Sequence, residues 1–250
     1  MAAKILEVKN LVKNFSGNKV VDNVSFSLEN GTITAVIGPN GAGKTTLYKL
    51  ISGQLLPTSG TIELKGKKIT GLAPHQIVKA GIGRSFQITS VFEGLTVKQN
   101  VRVAIAARVG QQFDLWHSLE GNRRLNRSVT EILAAVGILD LADILVRNLS
   151  YGERALVEIA IVLACKPSLI LLDEPTAGMS HVETTRVVKL IKDLQQKTRA
   201  TFLMTEHDME VVFNLAENII VMSRGKILAA GQPEEIRNNS DVRRAYLGTA

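Results

Sequence analysis

The sequence is poor in several features that define common classes of protein. It contains a single cysteine, Cys165, so no internal disulfide can form, which fits a reducing compartment. Because Cys165 ends the apolar run 159–165, we expect a packed core thiol there and not a nucleophile. Aromatic residues make up only 4% of the chain, so aliphatic side chains must fill the core.

Long uncharged apolar runs are also absent. No stretch of about 18 apolar residues occurs, so we expect no segment to span a membrane alone. The first residues, 1–7, lack the apolar region of a signal peptide, and we therefore expect a cytoplasmic protein.

The charge of the chain is positive. Thirty Lys and Arg against 23 Asp and Glu give a net charge of +7, which favours nucleotides, acidic partners or anionic lipid head groups. The basic residues form no dense block interleaved with aromatics, so nucleic acid is not an expected partner.

The most informative segment that is present is the loop 38–45, with the sequence GPNGAGKT. It fits the phosphate-binding loop pattern at every fixed position. The apolar, β-branched run 32–37 predicts a buried strand before it, and residues 47–51 predict a helix after it, ended by Gly53. Loop N–H groups and a helix N-terminus together bind phosphate. We therefore predict a nucleoside triphosphate site in which Lys44 reaches the β- and γ-phosphates and the Thr45 hydroxyl binds Mg²⁺.

A second group consists of two adjacent carboxylates, Asp173 and Glu174, directly after the apolar run 169–172. A buried parallel strand presents its functional groups at its carboxyl end. Two neighbouring carboxylates repel each other there, and a bound cation offsets that cost. We predict that Asp173 holds Mg²⁺ through its hydration shell and that Glu174 orients or deprotonates the attacking water.

The segment 149–153, with the sequence LSYGE, has two compatible interpretations. Ser150 and Glu153 have the spacing of a capping box, in which Ser150 caps a helix and Glu153 reaches back to its amide. A helix N-terminus that begins with Ser and Gly is also an anion site, which Gly152 lets a phosphate approach closely.

Two shorter signals complete the set. The segment 205–208 follows a predicted strand. His207 in this segment could hydrogen-bond a γ-phosphate or be an ordinary surface histidine. Asp208 is expected to cap a helix. Gln87 lies about 43 residues past the phosphate loop and has no specificity without its neighbours.

The periodicity along the chain predicts a parallel α/β core with a mainly helical insertion. Strands are expected at 4–9, about 18–28, 32–37, 168–172 and 201–204, with hairpins at 61–69 and 219–230. Helices are expected through most of 74–165, at 182–197 and in the basic tail 233–248. We expect the polar stretch from about 107 to 128, which includes the basic patch 123–127, to be a surface loop or short helices.

Taken in order, these motifs resemble the nucleotide-binding subunit of ATP-binding-cassette (ABC) transporters over nearly the whole chain. The resemblance implies an α/β fold: a P-loop NTPase core of the ABC ATPase type, with an N-terminal antiparallel β subdomain and an inserted α-helical subdomain. One nucleotide-binding domain would fill 1–250, with the core at about 1–87 and 166–250 and the helical subdomain at about 88–165. Within the family the pattern is most similar to ATPases of branched-chain amino-acid importers, because of the segments 83–87, 95–101, 151–153 and 245–248. Urea or short-amide importers and a lipopolysaccharide-exporting ATPase are also similar.

The resemblance implies the roles of particular residues. Two subunits would hold two ATP molecules between them, with Phe15 stacking on adenine unless it is a core phenylalanine. Ser150 and Gly152 would contact the ATP of the opposite subunit, and Gln87 would touch Mg²⁺ and water. Glu174, His207, Gln87 and Lys44 would be catalytic, and Thr45, Gln87 and Asp173 would serve Mg²⁺. The remaining ATP contacts would come from Gly38, Pro39, Asn40, Gly41, Ala42, Gly43, Lys44, Thr45 and Thr46.

Two departures from the family pattern affect the shared site. The usual Leu-Ser-Gly-Gly-Gln signature here has Tyr151 and Glu153 at its third and fifth positions. The Asp of the usual Ser-Gly-Leu-Asp loop is replaced by Ser180, which puts coupling between the two sites in doubt. Hydrolysis should survive because the catalytic Glu and His remain.

The resemblance also implies partners. These are a second ATPase subunit, separate membrane permeases and a solute-binding protein, with this chain peripheral on the inner face of the cell membrane. An ABC ATPase outside transport and a non-enzymatic ATP-gated module remain as alternatives. The transported solute and the direction of transport are not readable from this sequence, because the other subunits contact the solute.

Overall fold

The computed structural model describes residues 3–85, 91–109 and 123–244. The first of its two sheets is antiparallel and comprises β1 (Lys4–Phe15), β2 (Asn18–Glu29), β4 (Ser59–Leu64) and β5 (Lys67–Lys68). The second comprises β3 (Ile33–Ile37), β6 (Ile82–Arg84), β7 (Leu169–Asp173), β8 (Thr201–Thr205), β9 (Asn218–Ser223) and β10 (Lys226–Gly231). Its order is β10-β9-β3-β8-β7-β6, parallel except for β10.

The helices lie directly after the phosphate loop, in the helical insertion and in the crossovers between strands. They are α1 (Lys44–Ile51), α2 (Pro74–Ala80), α3 (Val97–Val109), α4 (Arg123–Val136), α5 (Tyr151–Ala164), α6 (His181–Thr198), α7 (Met209–Leu215), α8 (Pro233–Asn238) and α9 (Ser240–Val242). Two 3₁₀ turns, Leu139–Leu141 and Val146–Asn148, lie between α4 and α5. Helices α3, α4 and α5 pack against one another. Within the described ranges, no helix combines the length and the apolar character needed to cross a bilayer.

The second sheet is buried on both faces, and its central strands are accordingly mostly apolar. Along β3, Ala35 and Ile37 contribute to the core that faces the helices, whereas Val36 contributes to the core between the two sheets and α1. Strand β7 alternates in the same way, since successive strand side chains point to opposite faces. Because β3, β8 and β7 are parallel neighbours, their carboxyl ends lie at the same edge of this sheet.

The expected α/β architecture is confirmed, with differences at several element boundaries. Strand β1 continues to Phe15 because register shifts after Val8 let an irregular strand keep its pairing. Helix α1 begins at Lys44, earlier than predicted, and Cys165 is half-buried at the end of α5 and not fully packed in the core.

Two expectations for the middle of the chain were wrong in part. Residues 123–127 belong to a regular helix, α4, which buries Leu125 and Val129 on its apolar face. Residues 82–84 form the edge strand β6 beside β7, although we expected mostly helix from 74. Three residues are too few to show strand periodicity, and their pairing with β7 decides their conformation. Residues 110–122 and 245–250, and so the end of the expected tail helix, lie outside the described residues.

Candidate active site

The loop between β3 and α1 brings backbone atoms closer together than any side chain would permit. Gly38 has φ +152°, and a Cβ there would lie 2.1 Å from the carbonyl oxygen of Met222. Gly43 has φ +102°, and its Cβ would lie 2.5 Å from the carbonyl oxygen of Val20. Glycine is therefore required at both positions, and the loop closes into a cradle lined by main chain.

Lys44 is the first residue of α1 and lies over this loop. Its side chain is mostly buried, and its ammonium donates to the carbonyl oxygens of Gly38 (2.6 Å) and Pro39 (3.3 Å). Burial lowers the pKa of Lys44, and the nearby Glu174 and Asp173 oppose that shift. An ammonium held by neutral carbonyls in a partly dry site is well placed to bind an anion.

All nine residues 38–46 that were predicted to contact ATP lie in this loop and the first turn of α1. Asn40, Gly41 and Thr45 are exposed, whereas Gly38, Ala42 and Gly43 are buried. The exposed rim and buried base make one concave surface, on which the Thr45 hydroxyl is open to a ligand.

The two predicted carboxylates lie at the end of β7, beside the end of β8. Asp173 Oδ1 accepts a hydrogen bond from the Thr205 hydroxyl (2.7 Å). The Glu174 N–H donates to the carbonyl oxygen (3.1 Å) and to the hydroxyl oxygen (3.1 Å) of Thr205. Glu174 has φ +51°, a sparsely populated conformation for a residue with a side chain, so the end of β8 fixes an otherwise costly backbone turn.

His207 meets Glu174 directly. Its Nε2 lies 2.8 Å from Glu174 Oε1, and both side chains are partly exposed. The two residues are 33 positions apart in the sequence and are brought together because β7 and β8 are neighbours. A carboxylate that is oriented by a histidine and open to solvent can accept a proton from water.

Two charged residues of the site were given no role by the sequence reasoning. Glu206 is buried, and its carboxylate accepts hydrogen bonds from the Thr176 hydroxyl (2.6 Å) and N–H (3.1 Å) and from the His207 N–H (3.1 Å). It therefore holds the loop after Glu174 against the loop that carries His207. Arg84, at the end of β6, forms an ion pair with Asp173. Nothing in either residue's local pattern indicated these partners.

Ser150 caps α5 as predicted, and Glu153 completes the capping box. No hydrogen bond among the residues that the structure describes joins Ser150 or Gly152 to the phosphate loop of the same chain. The carboxylate of Glu183 lies over Gly152, where a Cβ would come within 2.5 Å of Oε1. Hydrogen bonds from Ser180 and from the Gly152 amide lower the pKa of Glu183.

The remaining predicted contacts have different outcomes. Phe15 ends β1 with 43% of its surface exposed, so the alternative of a core phenylalanine is wrong. The Lys13 ammonium lies 4.9 Å from its ring centroid, a cation–π contact. Gln87 lies outside the described residues, so its place in the site stays a prediction.

The donor set fits a magnesium nucleotide. The glycine cradle and Lys44 supply N–H donors for phosphate oxygens, and Thr45 and Asp173 supply the hard oxygen atoms that Mg²⁺ prefers. No cluster of three or more His, Cys, Asp and Glu that could hold a metal occurs in 3–85, 91–109 and 123–244. Mg²⁺ fits such a sparse set because it keeps several waters and shares its shell with phosphates.

Comparisons with known proteins agree with this geometry. The family model described as "ABC transporter" matches residues 21–177, and the model "Branched-chain amino acid ATP-binding cassette transporter" matches residues 226–250. The high-affinity branched-chain amino acid transport ATP-binding protein LivG of Salmonella typhimurium is 38% identical over 100% of both chains. The lipopolysaccharide export system ATP-binding protein LptB of Haemophilus influenzae is 35% identical over 98% of this chain and 97% of that protein. A crystal structure of an ABC transporter's ATP-binding cassette in its ADP conformation has a TM-score of 0.86 and 30% identity, and covers 98% of this chain and 99% of that one.

Proposed function

This chain belongs to the ABC transporter family of ATPases, and on that premise we propose that it powers import of branched-chain amino acids or a related small solute through separate membrane permeases. The relatives of Salmonella typhimurium and Pseudomonas aeruginosa, at 38% and 37% identity, are both named for high-affinity branched-chain amino acid transport. The match of residues 226–250 to the branched-chain amino acid model supports the same solute class.

The observation that carries the hydrolytic part is the contact between Glu174 and His207 beside the phosphate cradle. We assign Glu174 as the base that orients and deprotonates the attacking water. His207 holds that carboxylate and steadies the terminal phosphate. Phosphoryl transfer needs little covalent work from a protein, so positioning and charge stabilisation are the main tasks of these side chains.

The other roles follow from the donors present. Lys44 and the N–H groups of the loop would hold phosphate oxygens, and Phe15 would stack on adenine from its exposed position. The Thr45 hydroxyl and the Asp173 carboxylate, together with Gln87, would hold Mg²⁺, which supplies positive charge to the phosphates when bound.

We propose that the site is completed by a second ATPase subunit. Ser150 and Gly152 lie at the N-terminus of α5, where an anion is favoured, and within the described residues no hydrogen bond joins them to the phosphate loop of their own chain. In a head-to-tail pair they would instead reach the ATP held by the partner. Closure of that pair would move the permeases, and hydrolysis would reset it.

Gln87 and the helical lobe, roughly 88–160, are proposed as the contact with the permeases. At the border of this lobe, a mostly apolar cleft of about 150 Å³ opens between α2 and β6 of the core and α5 of the lobe, with Ile77, Val78 and Ile161 in its lining, and offers a binding place for an apolar segment. The net charge of +7 favours the anionic inner face of the membrane. A solute-binding protein would deliver the solute to the permeases.

A second candidate function is lipopolysaccharide export, because the LptB relative covers nearly all of this chain at 35% identity. The two candidates differ in the permeases that the subunit stimulates. Co-purification from native membranes followed by solute uptake into vesicles separates them: uptake of leucine or isoleucine supports import, and stimulation by a lipopolysaccharide-extracting complex supports export.

The hydrolytic assignment is tested by phosphate release from the purified protein with Mg²⁺ and ATP. Glu174→Gln should lower turnover at least about 100-fold while ATP still binds, because the general base is lost but the phosphate cradle is kept. Lys44→Ala should weaken ATP binding about 10- to 100-fold by calorimetry, because a charge-assisted contact with phosphate is lost. Near-normal turnover in Glu174→Gln would overturn the base assignment, and unchanged binding in Lys44→Ala would overturn the cradle assignment.

A further inference from the structure

Arg84 bonds both to residues just past the end of α1 and to Asp173 at the end of β7. Its side chain is only 9% exposed, and its guanidinium forks between two sets of acceptors. Nη1 donates to Ser52 Oγ (3.0 Å) and Gln54 Oε1 (2.7 Å), just past the end of α1. Nη2 donates to Asp173 Oδ2 (3.0 Å) at the end of β7. One rigid planar group therefore links the helix that follows the phosphate loop to the carboxylate assigned to Mg²⁺.

Asp173 depends on this contact more than a surface carboxylate would. Its side chain is 2% exposed, so water contributes little to the stability of its charge. Its Oδ1 is taken by the Thr205 hydroxyl, and Arg84 is its ion-pair partner at Oδ2. With both oxygens bound, the carboxylate plane has a single orientation, and each oxygen keeps a lone pair for a further donor such as a metal-bound water.

The geometry points to Arg84 as a positioning residue for the magnesium nucleotide: it fixes Asp173 in the orientation that receives the hydration shell of the metal. This inference rests on the proposed function, in which Asp173 serves Mg²⁺. A guanidinium is suited to the task because its fork can hold Ser52, Gln54 and Asp173 together, whereas an ammonium is a single point charge.

The alternative role for Arg84 is structural only, since a buried ion pair also neutralises a charge that would otherwise be costly. The two roles predict different measurements. A structural role affects thermal stability alone, whereas a positioning role affects how strongly Mg²⁺ increases the affinity for ATP. ATP binding without metal depends on Lys44 and the phosphate loop, which Arg84 does not touch. An Arg84 variant should therefore keep its metal-free ATP affinity whether the role of Arg84 is structural or positioning.

The test uses the full chain and measures ATP affinity by calorimetry, with Mg²⁺ and with EDTA. Mn²⁺ bound to the protein–ATP complex is measured separately by electron paramagnetic resonance. In Arg84→Lys we expect unchanged ATP affinity in EDTA and about a 5-fold or greater loss of Mn²⁺ affinity, because the charge is kept and the fork is lost. Gln54→Ala removes one of the two acceptors of Arg84 Nη1 and leaves Asp173 unchanged. It should lower Mn²⁺ affinity by about 2-fold.

Arg84→Ala leaves Asp173 buried without its ion-pair partner and is expected to melt at a much lower temperature, so the conclusion rests on the lysine and Gln54 variants. Arg186→Ala is the matched control, because it removes a guanidinium that bonds the Gly137 carbonyl (2.7 Å) away from the site. It should change the melting temperature without changing Mn²⁺ affinity. Wild-type Mn²⁺ affinity in both Arg84→Lys and Gln54→Ala would overturn the inference. If the wild-type protein bound ATP equally with and without metal, the proposed magnesium role of Asp173 would fail instead.

Discussion

At the scale of single residues, the site is a cluster of opposite charges in a partly dry setting. Lys44 and Arg84 lie among the acidic side chains of Asp173, Glu174 and Glu206, which are grouped at the ends of β7 and β8. Hydrogen bonds to Thr176 and Thr205 hold two of these acids in place. These side chains are therefore already held before any ligand arrives and need little rearrangement to receive one.

Tyr48, on α1 beneath this cluster, carries a polar group that the fold does not satisfy. The residue is fully buried, and its hydroxyl has no hydrogen-bond partner in the part of the chain that the structure describes. Burial, together with the negative charge of Asp173, raises the pKa of Tyr48 well above its ordinary value, so the hydroxyl stays neutral.

Tyr48→Phe should therefore increase the free energy of unfolding by about 1 kcal/mol, because it removes a desolvated group that has no partner. Urea denaturation at pH 7 measures the change. Tyr151→Phe is the control, because that side chain is 58% exposed and its hydroxyl is already solvated, so stability should change by less than about 0.5 kcal/mol. Destabilisation of Tyr48→Phe by 1 kcal/mol or more would reveal a partner for the hydroxyl and contradict this account.

Residues of the site differ in how far the sequence could predict them. Lys44 and Asp173 stand in local patterns whose spacing alone indicates phosphate and metal chemistry. Arg84 could not be found in this way, because its partner Asp173 is 89 positions away and meets it only through the pairing of β6 with β7. Glu206 likewise bonds Thr176 across 30 positions. Such contacts are set by strand order, which local patterns do not encode.

At the scale of elements, the capped starts of α5 and α7 were predicted because caps are local. Ser150 and Glu153 form the expected reciprocal cap of α5, and Asp208 caps α7 by accepting from the N–H groups of Glu210 and Val211. The start of α4 was missed because its basic residues 123–127 indicate a surface segment, while Leu125 packs inward. Tertiary packing overrides polarity there, as it does for the short strand β6.

Variants of the two residues that cap α5 distinguish the contribution of the cap to stability from the proposed contact of Ser150 with ATP. Ser150→Ala should cost about 1 kcal/mol of stability and also abolish ATP-driven pairing, because the hydroxyl serves both as cap and as proposed phosphate contact. Glu153→Ala breaks the other half of the capping box but leaves the Ser150 hydroxyl in place.

We therefore expect Glu153→Ala to lose stability and still pair when ATP is added. Thermal denaturation and light scattering with MgATP measure the two properties. Equal loss of pairing in both variants would mean that the cap alone matters, and the assignment of Ser150 to the partner's ATP would be withdrawn.

Helix α5 also carries a pH-dependent contribution to stability. Burial raises the pKa of Glu158 from its usual value near 4.5 to about 7. Between these values the unfolded chain has released the proton and the folded chain has not. The free energy of unfolding contributed by this group therefore falls as pH rises from about 4.5 to about 7 and is constant above that.

Glu158→Gln removes this dependence because the amide is neutral at every pH. At pH 8 the variant should be more stable than the wild type by ~1–2 kcal/mol, less than the full linkage value of roughly 3 because solvent screens a partly exposed carboxylate. At pH 4.5 the two proteins should be about equally stable. Chemical denaturation at both pH values tests this, and a difference that does not change with pH would count against a raised pKa.

At the scale of the whole molecule, the fold class could be predicted from the sequence because the order of motifs is itself specific. The phosphate loop, the signature segment 149–153 and the carboxylate strand 169–174 occur in one order with fixed spacing. The strand order β10-β9-β3-β8-β7-β6 was not readable, because parallel pairing depends on contacts between distant segments. That order places Asp173, Glu174 and His207 beside the cradle.

A second subunit would complete the ATP site. The two surfaces proposed to bind phosphate, the loop 38–45 and the start of α5, are not joined by any hydrogen bond within the described chain. In the proposed pair each surface would be half of a site, and the departures at Tyr151 and Ser180 change residues close to the second surface. A closed pair of chains would supply both halves to each ATP.

The most direct test of the shared ATP site is the mass in solution of Glu174→Gln, which we expect to bind ATP and to hydrolyse it very slowly. With MgATP, light scattering should give twice the 27.1 kDa of the monomer, and ADP or EDTA should return the monomer. Adding Ser150→Ala to Glu174→Gln should abolish the dimer without changing ATP binding. A Glu174→Gln protein that binds MgATP and stays monomeric at every concentration tested would contradict the shared-site account.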